Sequence, residues 1–357
     1  MMKKYWSRRI RNMVPYVPGE QPKDKSFIKL NTNESPYPPS PLALEALRAS
    51  ADERLRLYPD QESGELRNAA ASLHGLKPEQ VFPGNGSDEV LAFCFQAFFD
   101  PERPLLFADI TYTFYSVYVN YFGLTAEQIP LNEDYSLPTA DFCGRNCGGV
   151  VIANPNAPTG RAVPLEDIRK ILDSNRDVVV LVDEAYVDFG GNSADVLLDE
   201  YDNLVVIRTL SKSHALAGLR VGYALASPNL VAALCCVRDS INSYTVDRAA
   251  QAAAAAALRD TSYYTEMRDR ITATREKCAE EMRGLGFSVT QSSANFLFVS
   301  HPEVSAKVLQ EGLRERGILV RWFDRPRIRN WLRITVGTDT EMDTLCGELR
   351  KILKEKA

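Results

Sequence analysis

A chain of 357 residues, 45% hydrophobic and 25% charged, is long enough for more than one core and has the balance of an ordinary globular protein. Its net charge of −5 and pI near 5.5 leave no electrostatic footprint for nucleic acid. No apolar run is long enough to cross a bilayer, and the scattered seven cysteines and three histidines make no ligand set, so neither membrane nor metal is expected.

The opening residues, MMKKYWSRRIRNMVPY, are basic and lack the apolar segment of a signal peptide, which predicts an amphipathic arm on a cytoplasmic protein. Residues 30–40 (LNTNESPYPPS) crowd Asn, Pro and Ser into an extended or turning stretch. Helices are predicted over 41–50 and 66–74, separated by Arg56-Leu57-Tyr58-Pro59-Asp60. Residues 81–100 read as a short strand, a glycine turn and a helix opening at Ser87. Gly84 and Gly86 free the backbone there, and the unpaired amides of a helix start can hold a phosphate. The same pattern also describes a helix whose dipole is already answered by Asp88 and Glu89.

The buried strand at 105–108 leads into Thr111-Tyr112-Thr113-Phe114-Tyr115, where an aromatic ring can stack on a flat heterocycle or simply pack in the core. Two more β-rich runs, 149–153 and 178–182, each end in polar chemistry. The first enters a stiff turn, Asn154-Pro155-Asn156-Ala157-Pro158-Thr159-Gly160, and the second enters Asp183-Glu184-Ala185-Tyr186. A carboxylate ending an apolar strand is unfavourable without a partner; a protonated pyridine nitrogen is one such partner, and a helix N-cap is the other reading.

Strand 204–207 stops at Thr209, Ser211 and Ser213, with Lys212 set among the hydroxyls, and a strand-like run at 219–225 carries one charge, Arg220. A lysine just past the carboxyl end of a buried parallel strand sits where open α/β sheets bind ligands; the plainer alternative is a solvated loop lysine. An alanine-rich helix at 249–258 and a charged helix at 263–284 lead onward. Strands at 287–299, 318–323 and 331–336, with helices at 302–316 and 341–354, then make a smaller α+β unit. The expected division is an N-terminal arm (1–38) that joins the small domain, a large doubly wound, mainly parallel α/β domain (39–262), and the small domain (263–357).

Ser211-Lys212, Ala217-Gly218-Leu219-Arg220 and Val221-Gly222-Tyr223 follow Asp183 and Tyr186 in an order that closely resembles the histidinol-phosphate aminotransferases, pyridoxal-phosphate enzymes of fold type I. The likeness runs from Val14-Pro15-Tyr16 to Leu332-Arg333-Ile334-Thr335-Val336-Gly337-Thr338. It implies an α/β fold type I transferase, a homodimer with shared sites in which the N-terminal arm also makes dimer contacts, and pyridoxal 5'-phosphate as cofactor. The implied reaction converts L-histidinol phosphate and 2-oxoglutarate to imidazole-acetol phosphate and L-glutamate. Lys212 is then the lysine that joins the cofactor and moves the substrate proton, Asp183 the partner of the ring nitrogen, Tyr186 the partner of the phenolic oxygen and Tyr112 the stacking ring. Gly86, Ser87, Asp88, Thr209, Ser211 and Arg220 are implied around the cofactor, with Tyr58 reaching its phosphate from the neighbouring subunit. Arg333 and Arg321 are implied for the substrate anion, with Tyr16 and Asn33 beside it.

One departure stands out: Ala157 occupies the place where the family often has an asparagine, leaving Asn156 one position earlier, or Tyr186 alone, to make that contact. Within the same fold, aromatic or other amino-acid aminotransferases and phosphothreonine-type decarboxylases are the alternatives. From another class, a cofactor-free binding protein or a dinucleotide enzyme using Gly84-Asn85-Gly86 remains open, although the third glycine of that fingerprint is missing.

Overall fold

The computed structural model describes residues 4–11, 13–16, 19–22 and 27–356; the other positions of the expected arm lie outside the described residues. The first strand, β1 (Ile28–Leu30), precedes seven strands that share one sheet: β2 (Val81–Gly84), β3 (Leu105–Ala108), β4 (Ala126–Ile129), β5 (Gly149–Ala153), β6 (Val180–Asp183), β7 (Leu204–Thr209) and β8 (Gly222–Ala226). Their order is β2-β8-β7-β6-β5-β3-β4. Strands β3 to β7 pair in parallel, while β8 runs antiparallel to both neighbours. The reversal of β8 has a local cause. Residues 210–221 hold only a 3-10 turn, Ala217–Leu219, and a parallel return needs a longer crossover, usually a helix.

Strands β5, β6 and β7 are buried almost throughout, because apolar clusters cover the sheet on both faces. Helices Phe114–Phe122, Leu165–Ser174 and Pro228–Ile241, which belong to this covering, and edge strand β4 were not picked out individually from the sequence. β4 shows Ala126, Glu127 and Gln128 to solvent and buries only Ile129, so it lacks the continuous apolar run that marks a buried strand.

The second sheet adds β9 (Ser288–Val289), β10 (Phe296–Ser300), β11 (Ile318–Trp322) and β12 (Leu332–Thr335) in the order β1-β11-β12-β10-β9. β1 joins it in parallel with β11. The single strand expected over 287–299 is therefore two pieces, interrupted where Gln291, Ser292 and Ser293 offer no apolar face. Helix Ala306–Glu315 begins later than expected, where the Ser305 hydroxyl accepts the Val308 amide as an N-cap. The long helix Thr261–Gly284, capped by Asp260, runs from one sheet to the other. A second link is made by the connection between β11 and β12, where Arg327 pairs with Asp109 at 2.8 Å and its carbonyl accepts from the Tyr135 hydroxyl at 3.0 Å.

Candidate active site

A cavity of about 700 Å³ lies where the carboxyl ends of β5, β6 and β7 face β11 and β12. This is the position at which open α/β sheets present their loops to ligands. Lys212 enters from the loop after β7 and donates to the Thr32 carbonyl at 3.2 Å, with its Nζ 5.9 Å from the centre of the Tyr186 ring. Burial, and Arg333 beside it, bring its amine down from 10.5 to about 8.

Asp183 closes β6 and is 6% exposed. Its carboxylate accepts from the Tyr115 hydroxyl at 2.7 Å and the Ala185 amide at 3.2 Å, yet burial pushes its pKa up to about 6. An ionised carboxylate with so little compensation favours a cation next to it. Tyr186 receives the Asn33 amide on its hydroxyl at 3.0 Å and meets the Phe296 ring edge-on at 5.1 Å. Asn33 is itself clamped in the left-handed region (φ 58) by Thr335, whose hydroxyl accepts the Asn33 amide at 2.9 Å and donates to its side-chain oxygen at 3.0 Å. Tyr112 lines the cavity with its hydroxyl on Asp88 at 2.9 Å, and Tyr16 comes in from the N-terminal segment against Phe114, 4.7 Å between ring centres.

An anion cradle sits beside Lys212. Helix Gly86–Phe98 opens there with Ser87 and Asp88 at the cavity wall, so its free amides point at the space. Gly86 has φ 82, and a Cβ on it would stand 2.6 Å from Arg220 Nη2, so only glycine lets the backbone approach the guanidinium. Arg220 does not lie on a strand, as its sequence context suggested; it sits at φ 55 before β8 begins at Gly222, an αL turn that aims its guanidinium back at Asp88, 3.0 Å away. Ser211, with its amide on Thr209 Oγ1 at 3.2 Å, completes this side, and Thr209 lines the cavity too.

Across the cavity, Arg321 on β11 and Arg333 on β12 are direct cross-strand partners. Arg333 donates through Nη2 to the Asn31 carbonyl at 3.0 Å, and among the described residues no hydrogen bond reaches its buried Nε.

One expected residue is not brought to the cavity. The Asn156 amide is turned away and used up by the Ile110 carbonyl and Thr159 Oγ1, both at 2.9 Å, while Ala157 takes the cavity wall. Asn156 therefore does not substitute for the missing asparagine. Tyr58, expected at the site of a neighbouring subunit rather than its own, is 77% exposed and stacked on Tyr244 at 4.6 Å.

Other participants were not singled out beforehand. Tyr115 reads as one more core aromatic, and nothing in its local sequence marks it as the donor to Asp183. Glu34, paired with Lys29 at 2.6 Å, also lines the cavity. Behind Lys212, buried Arg208 pairs with Glu184 at 3.2 Å and with Asp188, which accepts from the Ser213 hydroxyl at 2.5 Å. Arg208, the lone charge in an otherwise apolar strand, was the available signal for that cluster. Among the described residues no group of three His, Cys, Asp or Glu side chains is placed to hold a metal, and no helix is long and apolar enough to cross a membrane.

The family model for aminotransferase class I and II matches residues 25–349. A histidinol-phosphate aminotransferase of Clostridium acetobutylicum is 51% identical over 352 residues, covering 99% of this chain and 100% of its own. One from Marinomonas sp. is 53% identical over 353 residues, with 98% and 100% covered. Among solved structures, the histidinol-phosphate aminotransferase of Sinorhizobium meliloti in complex with pyridoxal-5'-phosphate superposes with a TM-score of 0.89 at 26% identity, covering 99% of both chains. On these matches the chain belongs to the class I and II aminotransferases, and within them to the histidinol-phosphate aminotransferases.

Proposed function

We propose that this enzyme moves the amino group of L-histidinol phosphate onto 2-oxoglutarate, giving imidazole-acetol phosphate and L-glutamate, a step of histidine biosynthesis, with pyridoxal 5'-phosphate as cofactor. The donor set fits that cofactor. Arg220, Ser211 and the helix start at Gly86–Ser87 suit its phosphate, Asp183 suits a protonated ring nitrogen, Tyr186 its phenolic oxygen, and Tyr112 the face of its ring. When bound, pyridoxal phosphate supplies the electron sink and stores the amino group between the two half-reactions.

The chain's own residues do the rest. Lys212, with its amine near 8, holds enough free base at neutral pH to take a proton from the substrate carbon and hand it on within the same half-reaction. Asp183 keeps positive charge next to it because its own carboxylate has few other partners. Asn33, fixed by Thr335, orients the Tyr186 hydroxyl, which makes its contact alone now that Ala157 stands where an asparagine is usual.

The observation that carries the substrate assignment is the facing pair of Arg321 and Arg333. Two guanidiniums directly opposite each other on a ladder concentrate positive charge at one spot of the cavity. A phosphate ester dianion answers both, whereas the glutamate carboxylate needs mainly Arg333. Half-reaction rates with histidinol phosphate, phenylalanine, glutamate and phosphothreonine test this. Histidinol phosphate is expected to lead, and a faster reaction with phenylalanine would move the assignment to an aromatic aminotransferase.

We further infer a cytoplasmic homodimer with shared sites. Leu55, Leu57, Tyr58, Ile241 and Tyr244 leave apolar surface exposed on neighbouring elements, as a face covered by a second copy does. The division into arm, large domain and small domain at 38/39 and 262/263 stands as part of the same proposal; the pairing of β1 with β11 supports assigning the arm to the small domain.

A further inference from the structure

We infer that Phe323 spaces the two anion-binding arginines and thereby sets the preference for a doubly charged substrate over a singly charged one. The inference rests on the reading that Arg321 and Arg333 receive the substrate anion.

The register pairs Arg321 with Arg333, so both side chains leave the same face with their Cβ atoms about 4.5–5.5 Å apart. Two guanidiniums started so close repel each other, and a group that attracts both lowers the cost of keeping them together. Phe323 lies just past the end of β11, where the chain turns with the Arg325 amide on its carbonyl at 2.9 Å. Its ring centre is 5.5 Å from Arg321 Cζ and 5.7 Å from Arg333 Cζ, and the Phe296 ring centre is also 5.5 Å from Arg333 Cζ. The electron-rich face of an aromatic ring attracts a guanidinium at this range. One ring thus lies against both guanidiniums at the cavity, and Arg333 is held besides by Phe296 and the Asn31 carbonyl.

Phe323 also has little room to swing. It packs against a cluster that includes Ile110, Tyr135 and Ile328, on the side of the seven-stranded sheet. Its loop is tied to the same sheet by Arg325 on the Asp109 carbonyl at 3.1 Å and by the Arg327–Asp109 pair. A carboxylate is satisfied by Arg333, so it gains little from a fixed Arg321. A phosphate dianion gains from both, and only if both stay in place.

Phe323→Leu keeps apolar volume against that cluster and removes the ring face, whereas Phe323→Tyr keeps the face. In the holoenzyme, Phe323→Leu is expected to raise KM for histidinol phosphate roughly five- to thirtyfold and KM for glutamate by no more than about twofold, with Phe323→Tyr close to wild type. Inhibition by inorganic phosphate should weaken in parallel, and in an Arg321→Ala background Phe323→Leu should add little for histidinol phosphate. If Phe323→Leu does not fold, Phe323→Met serves the same comparison. Equal effects on the two substrates, equal damage from the tyrosine and leucine variants, or full additivity with Arg321→Ala would overturn the inference while leaving the anion reading intact. If Arg321→Ala and Arg333→Ala leave KM for histidinol phosphate unchanged, the anion reading itself fails, and this inference with it.

Discussion

The two sides of the cavity treat charge in opposite ways. Toward the seven-stranded sheet, Arg220 is paired with Asp88, Asp183 is bonded to Tyr115, and Lys212 rests on the Thr32 carbonyl. Toward the five-stranded sheet, Arg321 and Arg333 face each other across a ladder, and among the described residues nothing bonds Arg333 Nε. Groups fixed in place by protein contacts reorganise little when a ligand arrives, which suits a resident cofactor. Two positive groups set side by side attract an anion most strongly when it carries two charges, which suits a substrate that must come and go. The difference is geometric in origin: a helix start and an αL turn converge on one side, and a cross-strand register on the other.

The largest effect comes from removing the anchor of the resident side. Lys212→Ala is expected to leave the fold intact, abolish the near-visible absorbance of the holoenzyme and reduce turnover by roughly 10⁴-fold. Borohydride reduction of the wild-type holoenzyme followed by peptide mapping should place the label on Lys212, and a label on another lysine would remove its role.

Asp183→Asn should still bind cofactor but lose roughly 10²-fold or more in turnover, because a neutral amide does not hold positive charge on the ring nitrogen. Without cofactor the same variant should be more stable than wild type by about 1–3 kcal/mol at pH 7. The sign follows from the carboxyl being raised from 3.8 to about 6 in the folded chain: the penalty of the buried charge is full above about 6 and fades as pH falls toward 3.8. Thermal melts of both cofactor-free proteins across that window decide it, and a less stable variant at pH 7 would contradict it.

On the substrate side, each arginine should contribute about 1.5–3 kcal/mol to binding a phosphate ester, a factor of roughly 10 to 150 in KM. Arg333→Ala should impair both half-reactions, and Arg321→Ala mainly the one with histidinol phosphate. Equal, small effects of Arg321→Ala on both substrates would dissolve the distinction between the two sides.

The sides also influence each other, more gently. In the cofactor-free protein an amine-directed acylating reagent should modify Lys212 with a midpoint near pH 8, since the free base is the reactive form and the folded chain favours it. Arg333→Ala should shift that midpoint upward, because Arg333 is one of the charges that lowers it. An unchanged midpoint would mean the two sides are electrostatically separate. The smallest effect is expected for Tyr58→Phe, which should retain cofactor less well in dilute protein than in concentrated protein if the site is shared between subunits. A fully active monomer by light scattering would exclude that role.

Much of this was readable from the chain because it is local. Strands 105–108 and 149–153 are found at the residues where apolar runs placed them, and Lys212 follows a buried strand whose composition announced it. Gly86 was legible because a tight backbone approach leaves a glycine behind. What the chain alone left open depends on which distant segments meet. Tyr115 reaches Asp183 across 68 positions and Asn33 meets Thr335 across 302, contacts chosen by packing and loop closure that no short window of residue types encodes. Arg220 needed the short β7–β8 return to acquire its left-handed turn, and Asn156 needed the Ile110 carbonyl to draw its amide away from the cavity. The two arginines show the same division. Composition put both on apolar strands, but the register that sets them face to face exists only once β11 and β12 pair, because a shift of one residue would send one of them to the opposite face.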